Sequence, residues 1–431
     1  MGKYTDKLKE LFPSFGKCQL KGILVIIDGL GDMPSPLLNH KTPLESANTP
    51  NMNFLAARGE LGYMYPVKPG FIPESDEALL SIFGNKLTFN SRGQMEARGT
   101  DIKIERGDLA LRLNFATINP KTNTIIDRRA GRTLTNAEVE ILIEAISQMD
   151  FECKFEIKPT VQHAGVLVLR GGFSDNIAGN DLTYIQGRIE TDTKVRYPKA
   201  LEESETAEYT ANILNDFISQ SHLILEKHPI NKERKRKGLL PANYLLIRSP
   251  GIEPPKLKPY RRWMSCAYTP MEIGFSKLCG MKTFPFLYPR LNDFDSYANS
   301  YDALRKACKF ISQTINSNCK GFDYAYVHVK ETDLPGHDNK PLEKKTMIEY
   351  IDSTLFNFIR KFAPPNQVKV IVTGDHATPC KLKAHSADPV PVLFYNGAIP
   401  REREFNEKNS RKGTLGSMTG EELLKKAGFV K

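Results

Sequence analysis

The sequence predicts an α/β fold, in which a mainly parallel sheet is flanked by helices and an α+β domain is inserted. Six short apolar runs bounded by turn residues, among them residues 22–31, are typical of strands buried on both faces of a sheet. The runs at 324–333 and 369–376 are separated by residues 344–362, whose apolar side chains recur at helical spacing. A strand, a helix and a strand in this order form a βαβ unit and therefore a parallel sheet.

The core is predicted to consist of two separate stretches of the chain. The first stretch, residues 1–91, begins with a short amphipathic helix within residues 1–17 and contains the first apolar run. The second stretch, residues 241–431, ends in the helical segment TGEELLKKAGF, with Thr419 as its N-cap and Gly428 near its end. The residues between these two stretches form the insert.

The insert, residues 92–240, has a different pattern from the core. Residues 109–131 alternate in polarity and turn at Pro-Lys-Thr-Asn, which predicts a β-hairpin. A helix from Asn136 to Met149 follows, and then a strand pair, CKFEIK and GVLVLR. The insert ends at a basic run, residues 232–237 (KERKRK), which we expect to be a solvated loop.

The composition argues against several classes of protein. No apolar run approaches the about 20 residues that a membrane-spanning helix needs. Seven cysteines without a CxxC pair favour a cytoplasmic protein over a disulfide framework. The formal net charge of +10 fits an anionic small-molecule substrate. Nucleic-acid binding through residues 232–237 is a remote alternative, because no RNA-binding signature or zinc-finger spacing accompanies them. The oligomeric state stays open.

Three of the predicted core strands are followed by an acid, namely Asp28, Asp333 and Asp375. In open parallel sheets, ligands bind beyond the carboxyl ends of the strands, so these acids can meet at one edge. Asp333 is followed by a Pro-Gly turn that would bring a histidine to the same place. The histidines of these segments are His337, His376 and His385.

Carboxylates and imidazoles together predict a site for divalent metal ions such as zinc, manganese or, less well, magnesium. Six ligands are too many for one catalytic ion that keeps open positions. They fit two ions about 4 Å apart, which can hold the attacking and leaving oxygens of a phosphoryl transfer. Each residue alone has a simpler explanation, because an acid after a strand is often a helix N-cap. The complete set favours a metal site.

A candidate nucleophile lies in residues 70–85 (GFIPESDEALLSIFGN). Pro73 and Glu74 interrupt the chain before Ser75, and the residues after it have a helical pattern. The free N–H groups and the dipole at a helix N-terminus favour an anion there. Ser75 is therefore either an ordinary N-cap or, beside two metal ions, the acceptor of a phosphoryl group.

Several segments together resemble one family. These segments are IIDGLGD, PESDEALLSIFG, IIDRRAGR, VHVKETDLPGHD, VTGDHATP and HSADPVPV. They resemble the archaeal type of cofactor-independent phosphoglycerate mutases, which belong to the alkaline phosphatase superfamily. The resemblance implies an alkaline-phosphatase-like core and two divalent ions (manganese, zinc, cobalt or magnesium), without 2,3-bisphosphoglycerate. It assigns one ion to Asp28, Ser75, Asp375 and His376, and the other to Asp333, His337 and His385.

The resemblance also implies a reaction. Ser75 would take the phosphoryl group of 3-phosphoglycerate and return it to the 2-hydroxyl. A phosphatase, or a mutase of another phosphorylated acid, is the alternative within the superfamily. Clustered guanidinium groups can hold a carboxylate and a phosphate bidentately. The candidate substrate-binding residues are Arg128, Arg129, Arg132, His163, Asp181 and Lys330.

Three places depart from the usual pattern of the family. The residue before the nucleophile is commonly glycine and is Glu74 here, and Glu77 follows two residues later. His163 is followed by Ala164, where the family commonly has arginine. The stretch at 179–182 keeps one aspartate of an Asp-x-Asp-Pro pattern. The last two departures lie in the insert, where we expect the substrate to bind.

Overall fold

The structure is a computed structural model, and it describes residues 18–88, 92–181, 184–185, 188–189, 193–290 and 294–430. The helix that we predict within residues 1–17 lies outside the described residues. The strands are, in chain order, β1 (Gly22–Ile27), β2 (Gly59–Tyr65), β3 (Leu109–Asn119), β4 (Thr124–Asp127), β5 (Phe155–Pro159), β6 (Ala164–Leu169), β7 (Ile177–Ala178), β8 (Tyr184–Ile185), β9 (Arg188–Ile189), β10 (Lys199–Ala200), β11 (Tyr244–Gly251), β12 (Trp263–Ser265), β13 (Lys282–Thr283), β14 (Tyr324–Val329), β15 (Lys369–Thr373), β16 (Val390–Tyr395) and β17 (Gly416–Thr419).

The described helices alternate with these strands along the chain. They are α1 (Pro43–Ser46), α2 (Pro50–Ala57), α3 (Ser75–Ile82), α4 (Arg92–Gly99), α5 (Asn136–Ser147), α6 (Glu205–Lys227), α7 (Pro229–Arg236), α8 (Pro270–Leu278), α9 (Ser296–Asn318), α10 (Asp333–His337), α11 (Pro341–Ile351), α12 (Asn357–Asn366), α13 (Glu407–Arg411) and α14 (Gly420–Lys426). None of these described helices is long and apolar enough to cross a membrane. The predicted C-terminal helix is confirmed as α14, with Thr419 at its N-cap.

The large sheet has the strand order β13-β12-β14-β1-β15-β16-β2-β17. β1 is parallel to both of its neighbours, β14 and β15, and only the pairings of β16 are antiparallel among these described strands. All six residues of β1 are buried, as expected for a strand covered on both faces. The predicted α/β class with a mainly parallel sheet is therefore confirmed. The carboxyl ends of β1, β14 and β15 lie at the same edge of this sheet.

The second sheet is antiparallel and has the order β11-β3-β6-β5, with β4 paired to β3. β3 and β4 form the predicted hairpin, and α5 begins at Asn136 as expected. However, β11 pairs with β3, whereas an insert that ends at residue 240 would leave this strand in the core. The predicted boundary is too early for β11, because its apolar run fits either sheet. The rest of the division into residues 1–91, 92–240 and 241–431 stays a prediction.

The basic run at 232–237 is helical, so the predicted solvated loop is wrong. Residues up to Arg236 belong to α7, which begins with Pro229 at its first position. Arg234 is buried and donates hydrogen bonds to Glu138 at 2.9 Å and to the carbonyl of Leu240 at 2.9 Å. Because this guanidinium group stabilises the insert from inside, it cannot contact a nucleic acid.

Candidate metal centre and nucleophile

The acids that follow β1, β14 and β15 meet at one edge of the large sheet, as the sequence predicts. β1 is in register with both neighbours, so Ile27 lies opposite Val329 and Ile26 lies opposite Thr373. The chain turns sharply after β1 at Gly29, which has a φ of 62° and donates its N–H to Asp375 Oδ1 at 3.1 Å. A Cβ atom at Gly29 would lie 2.8 Å from Asp333 Oδ1. Only glycine allows the three acids to come this close.

The first predicted ligand group consists of Asp28, Ser75, Asp375 and His376. His376 Nε2 lies 3.1 Å from Asp28 Oδ1, 3.5 Å from Asp375 Oδ2 and 3.3 Å from Ser75 Oγ. Donor atoms bound to one ion at about 2.1 Å in a tetrahedral arrangement lie about 3.4 Å apart. The spacing of these four side chains is therefore the spacing of metal ligands.

The second predicted group is also assembled. Asp333 Oδ2 lies 3.1 Å from His337 Nε2, and Asp333 Oδ1 lies 3.8 Å from His385 Nε2. The expected Pro-Gly turn is instead the short helix α10, which places Asp333 and His337 on one face, four residues apart. The Nδ1–H groups of His337 and His385 donate to the carbonyls of Lys383 and Pro73. These hydrogen bonds fix the orientation of both rings, so that each Nε2 atom faces Asp333, where an ion would bind.

Thr378 joins the two groups, although the sequence analysis did not identify it as a site residue. Its hydroxyl donates to Asp333 Oδ1 at 2.7 Å and lies 3.0 Å from His376 Nδ1. A hydroxyl has one proton, so Thr378 accepts a hydrogen bond from His376 Nδ1–H, and Nε2 faces the carboxylates. Burial alone would lower the pKa of His376, but Asp375 and Asp28 outweigh it and raise this pKa to about 9. The site thus favours positive charge at the place of the first ion.

His328 is a second residue that the sequence analysis missed. It is fully buried, and its Nε2 lies 3.4 Å from Asp375 Oδ2, while its Nδ1 lies 2.9 Å from the hydroxyl of Tyr326. The strand pattern holds a signal, because Tyr326, His328 and Lys330 alternate and therefore point to one side of β14. His328 lies close enough to Asp28 and Asp375 for the three side chains to hold an ion together, since their ligand atoms lie within 4.8 Å of one another.

Lys330, predicted as an anion contact, lies directly at the nucleophile. Its ammonium group contacts the Asp28 carboxylate, lies 2.8 Å from Glu272 Oε1 and lies 3.4 Å from Ser75 Oγ. Burial would lower the pKa of Lys330, but Asp28 and Glu272 raise it well above its usual value. A permanent cation therefore faces the oxygen that would receive a phosphoryl group. Glu272, from α8, is a further residue that the sequence analysis missed.

Ser75 is the first residue of α3, so its predicted place at a helix N-terminus is confirmed. The N-cap is Glu74 rather than Ser75, and Glu74 forms a capping box with Glu77. Glu77 Oε2 accepts the N–H of Glu74 at 2.9 Å. Because other carboxylates cap the helix, the Ser75 hydroxyl is not needed as a cap and can point to His376 and Lys330.

A cavity of about 230 Å³ connects this site with the insert. On the core side, Asp28, Glu272, Lys330 and Asp333 line it. On the opposite side, its lining includes Arg92, Glu96, Arg112, Arg129, Arg132 and His163. Four of the six predicted substrate-binding residues, Arg129, Arg132, His163 and Lys330, thus line one cavity. The other two lie outside the lining, where Arg128 pairs with Asp181 at 2.9 Å.

The IIDRRAGR segment has an unusual backbone that presents its arginines. Asp127 Oδ1 accepts the N–H groups of Arg129 at 2.7 Å and Gly131 at 3.0 Å. Ala130, Gly131 and Arg132 all have positive φ values, of 46°, 67° and 55°. Residues other than glycine adopt this conformation at a cost, and such strain is concentrated at functional sites. The turn directs Arg129 and Arg132 to the cavity.

His163 is an uncharged polar residue of this cavity wall. Burial, together with the cations Arg129 and Arg112, holds the pKa of His163 well below its usual value. Its Nδ1 is buried and has no hydrogen-bond partner among the described residues. A neutral imidazole with one unused nitrogen can donate to, or accept from, a hydroxyl group of a small ligand.

Comparisons with known proteins identify the family. A family model described as 2,3-bisphosphoglycerate-independent phosphoglycerate mutase matches residues 56–231, and a model of the metalloenzyme superfamily matches residues 295–427. The protein named 2,3-bisphosphoglycerate-independent phosphoglycerate mutase from Pyrococcus abyssi is 36% identical over 412 residues, which are 94% of this chain and 96% of that protein. The chain belongs to the 2,3-bisphosphoglycerate-independent phosphoglycerate mutase family.

Solved structures of similar chains agree with this membership. The PH0037 protein from Pyrococcus horikoshii has a TM-score of 0.70 at 30% identity, covering 95% of this chain and 97% of that one. The cofactor-independent phosphoglycerate mutase from Thermoplasma acidophilum has a TM-score of 0.53 at 30% identity, covering 95% and 99%. The resemblance to this mutase family is confirmed. The metalloenzyme match includes the ligand segments of β14 and β15.

The residues of this family member fit divalent cations. Asp375 Oδ2 is buried without a hydrogen-bond donor, and Asp28 Oδ1 faces His376 without hydrogen-bond geometry. A buried carboxylate oxygen without a partner costs free energy that a cation would recover. The described carboxylates and imidazoles form three overlapping groups that could hold an ion, and one of them is a predicted set: Asp333, His337 and His385; Asp28, His328 and Asp375; and Asp28, Asp333 and His376. Divalent metal use is thus supported by the donor set itself.

Proposed function

We propose that the protein interconverts 3-phosphoglycerate and 2-phosphoglycerate without 2,3-bisphosphoglycerate, through a phosphoserine at Ser75. One observation supports this proposal above all. Ser75 Oγ lies 3.3 Å from His376 Nε2 and 3.4 Å from Lys330 Nζ, where the metal-ligand groups face an arginine-lined cavity. The relatives that share 36% of the sequence bear the name of this activity.

The reaction consists of two transfers at Ser75. In the first, Ser75 Oγ forms a bond to phosphorus while the bond between phosphorus and the 3-oxygen breaks, and the serine proton ends on that oxygen. In the second, the 2-oxygen of glycerate attacks phosphorus, the bond to Oγ breaks, and the 2-hydroxyl proton returns to Ser75. No atom is gained or lost over the two steps. Lys330 stabilises the charge that develops beside Oγ.

Two divalent ions belong to this proposal. Asp28, Ser75, Asp375 and His376 would hold one ion, and Asp333, His337 and His385 would hold the other. Such ions supply charge that polarises a phosphoryl group and favours an ionised serine. Manganese, zinc, cobalt and magnesium are the candidates, because imidazole and carboxylate ligands bind all four.

The insert would hold glycerate while Ser75 carries the phosphoryl group. Arg129 and Arg132 line the cavity and can bind the carboxylate of the substrate bidentately. Arg128 and Asp181 support this wall from outside the cavity through their ion pair. His163 can exchange a hydrogen bond with a glycerate hydroxyl. A cavity of about 230 Å³ leaves little room for water beside a molecule of this size.

The test is a mutase assay on metal-stripped protein that receives manganese and 3-phosphoglycerate but no 2,3-bisphosphoglycerate. We expect 2-phosphoglycerate to form with little free phosphate, and Ser75→Ala to form neither. If free phosphate is the main product, the chain is a phosphatase of the same superfamily. If neither product forms under any of the four metals, the proposed substrate is wrong.

A further inference from the structure

Glu74, the residue before the nucleophile, is the centre of a buried group of ion pairs. Its side chain is largely buried, and Oε1 lies 2.7 Å from Arg248 Nη1. Its other oxygen, Oε2, lies 3.3 Å from Arg92 Nη1. The two arginine partners hold the pKa of Glu74 at about 2 against the opposing effect of burial. Both oxygens of the Glu74 carboxylate thus face guanidinium groups, directly beside Ser75.

These ion pairs continue on both sides of Glu74. Arg92 also binds Asp76 Oδ1 and Glu96 Oε1, each at 3.0 Å. Glu96 in turn binds Arg112, which lies on β3. We call these six residues the Glu74 network: Glu74, Asp76, Arg92, Glu96, Arg112 and Arg248. Acids and cations alternate along it, so every charge has a partner of opposite sign.

The Glu74 network joins two parts of the fold. Glu74 and Asp76 lie at the start of α3, the helix that begins with the nucleophile. Arg112 and Arg248 belong to β3 and β11, which pair with each other in the second sheet and place these two residues opposite one another. Arg92, on α4, lies between them and contacts both acids of α3. The position of Ser75 is thus connected to the second sheet through fully formed ion pairs.

Three of the six residues of the Glu74 network also line the cavity. Arg92, Glu96 and Arg112 line it, and Lys330 lines it from the core side. Buried ion pairs add little net stability compared with apolar side chains, but they fix the relative position of the groups that they join. Loss of one partner leaves an uncompensated buried charge, which draws water or moves toward another partner. A change at Glu74 would therefore open the cavity wall nearest to Ser75.

We propose that Glu74 is a positioning residue. It holds the second sheet against α3, the helix that begins with Ser75, and so keeps water away from phosphorylated Ser75. This inference rests on the proposed function, because it concerns the fate of the phosphoserine. With the Glu74 network intact, the phosphoryl group returns to glycerate. When the network is broken, water enters, the Oγ–P bond breaks by attack of water, and the products are inorganic phosphate and the restored serine.

The experiment compares two variants of neighbouring acids in the full-length, manganese-loaded protein. Glu74→Gln removes the charge that binds both arginines and keeps the size of the side chain. Glu77→Gln is the matched control, because Glu77 belongs to the same helix turn. Among the described residues, Glu77 belongs to no ion pair, and its Oε2 accepts the N–H of Glu74 at 2.9 Å, which a glutamine oxygen can also accept. The measured quantity is the ratio of free phosphate to 2-phosphoglycerate.

We expect Glu74→Gln to raise this ratio by at least about tenfold, since small displacements of reacting groups have effects of this size or larger. Glu77→Gln should leave the ratio within about twofold of the unchanged protein. Arg248→Met is a second variant, which breaks the same pair from the other side, and it should raise the ratio in the same direction. The effect of the double variant on the ratio should be smaller than the product of the two single effects, because the ion pair between Glu74 and Arg248 is lost in both single variants.

The outcomes separate this inference from the proposed function. A protein of unchanged sequence that forms no 2-phosphoglycerate would overturn the proposed function. An unchanged ratio in both Glu74→Gln and Arg248→Met, even with a lower rate or a lower melting temperature, would overturn the positioning role alone. A purely structural role would lower stability without a change in the ratio.

Discussion

A substitution of Lys344 tests most directly what holds together the two loops that carry metal ligands after β1 and β15. Its ammonium group is fully buried and lies 2.7 Å from Asp32 Oδ2, 3.0 Å from the carbonyl of Thr378 and 3.3 Å from the carbonyl of Gly31. Gly31 and Asp32 follow Asp28, and Thr378 follows His376. One side chain of α11 therefore joins the loop after β1 to the loop after β15.

The structure allows the cost of Lys344→Met to be worked out. Methionine keeps most of the volume but removes the charge, which leaves Asp32 as a buried carboxylate. Breaking a buried pair in this way costs about 3–5 kcal/mol. Asp32 keeps the N–H groups of Met33 and Cys380 as donors, which favours the lower half of this range. We expect a loss of about 3 kcal/mol in the free energy of unfolding, together with weaker metal binding.

The matched control is Lys345→Met, on the next residue of the same helix. Lys345 pairs with Glu349 at 2.7 Å, but both side chains are more than a quarter exposed, so its loss should cost under about 1 kcal/mol. Urea unfolding of the metal-free proteins measures both costs, and calorimetric titration with manganese measures the affinity. Asp32→Asn in the Lys344→Met background should restore part of the loss. Equal effects of the two lysine substitutions would refute the role of the buried pair.

Three further predictions concern the metal centre. His337→Ala should abolish activity and lower the metal content by one ion per chain, measured by elemental analysis, while circular dichroism stays unchanged; full activity would contradict the two-ion assignment. The pKa of His376 is raised to about 9, so an ion must displace a proton below that pH. Metal affinity should fall by about tenfold per pH unit from pH 8 to pH 7, with proton release seen by titration in buffers of different ionisation enthalpy. In the metal-free protein, protonation of His376 stabilises the fold, because its pKa is higher in the folded than in the unfolded chain. This stabilisation is complete below about pH 6.5, the ordinary pKa of histidine, and should be lost as the pH rises through about 9. Gly29→Ala should weaken metal binding far more than Gly70→Ala, because both have positive φ but only Gly29 has neighbours that a Cβ would meet. Equal affinities of these two alanine variants would contradict the steric argument.

The position of the site followed from the sequence because one geometrical rule fixes it. The carboxyl ends of parallel strands lie at one edge, so an acid after each apolar run was enough to bring Asp28, Asp333 and Asp375 together. The structure contains all seven predicted ligand side chains at this edge. Their assignment to two ions came from the family resemblance, since the rule gives a place and not a coordination pattern.

Other features depend on pairings that a sequence pattern does not contain. The apolar run of β11 suits either sheet, and only its pairing with β3 decides between them. Arg234 belongs to a basic run that looks solvated, yet Glu138 lies within 2.9 Å of it in the folded insert. Glu272 forms an ion pair with Lys330, although the two residues are 58 positions apart in the sequence. Buried polar residues of this kind become recognisable only when their partners are known.

The arginines of the cavity should differ in how strongly they bind an anionic substrate, because they differ in the carboxylates with which they already form ion pairs. Arg92 and Arg112 share Glu96, so their charge is already balanced within the Glu74 network. Among the described residues, no carboxylate lies within ion-pair distance of Arg129, although it lines the same cavity. A guanidinium group without a protein carboxylate partner gains most from an incoming anion. Arg129→Met should therefore raise the KM for 3-phosphoglycerate by more than Arg132→Met does, because Arg132 already has Asp338 at 3.9 Å. A larger effect at Arg132, measured in the same mutase assay, would show that the counterion does not decide which arginine binds the substrate.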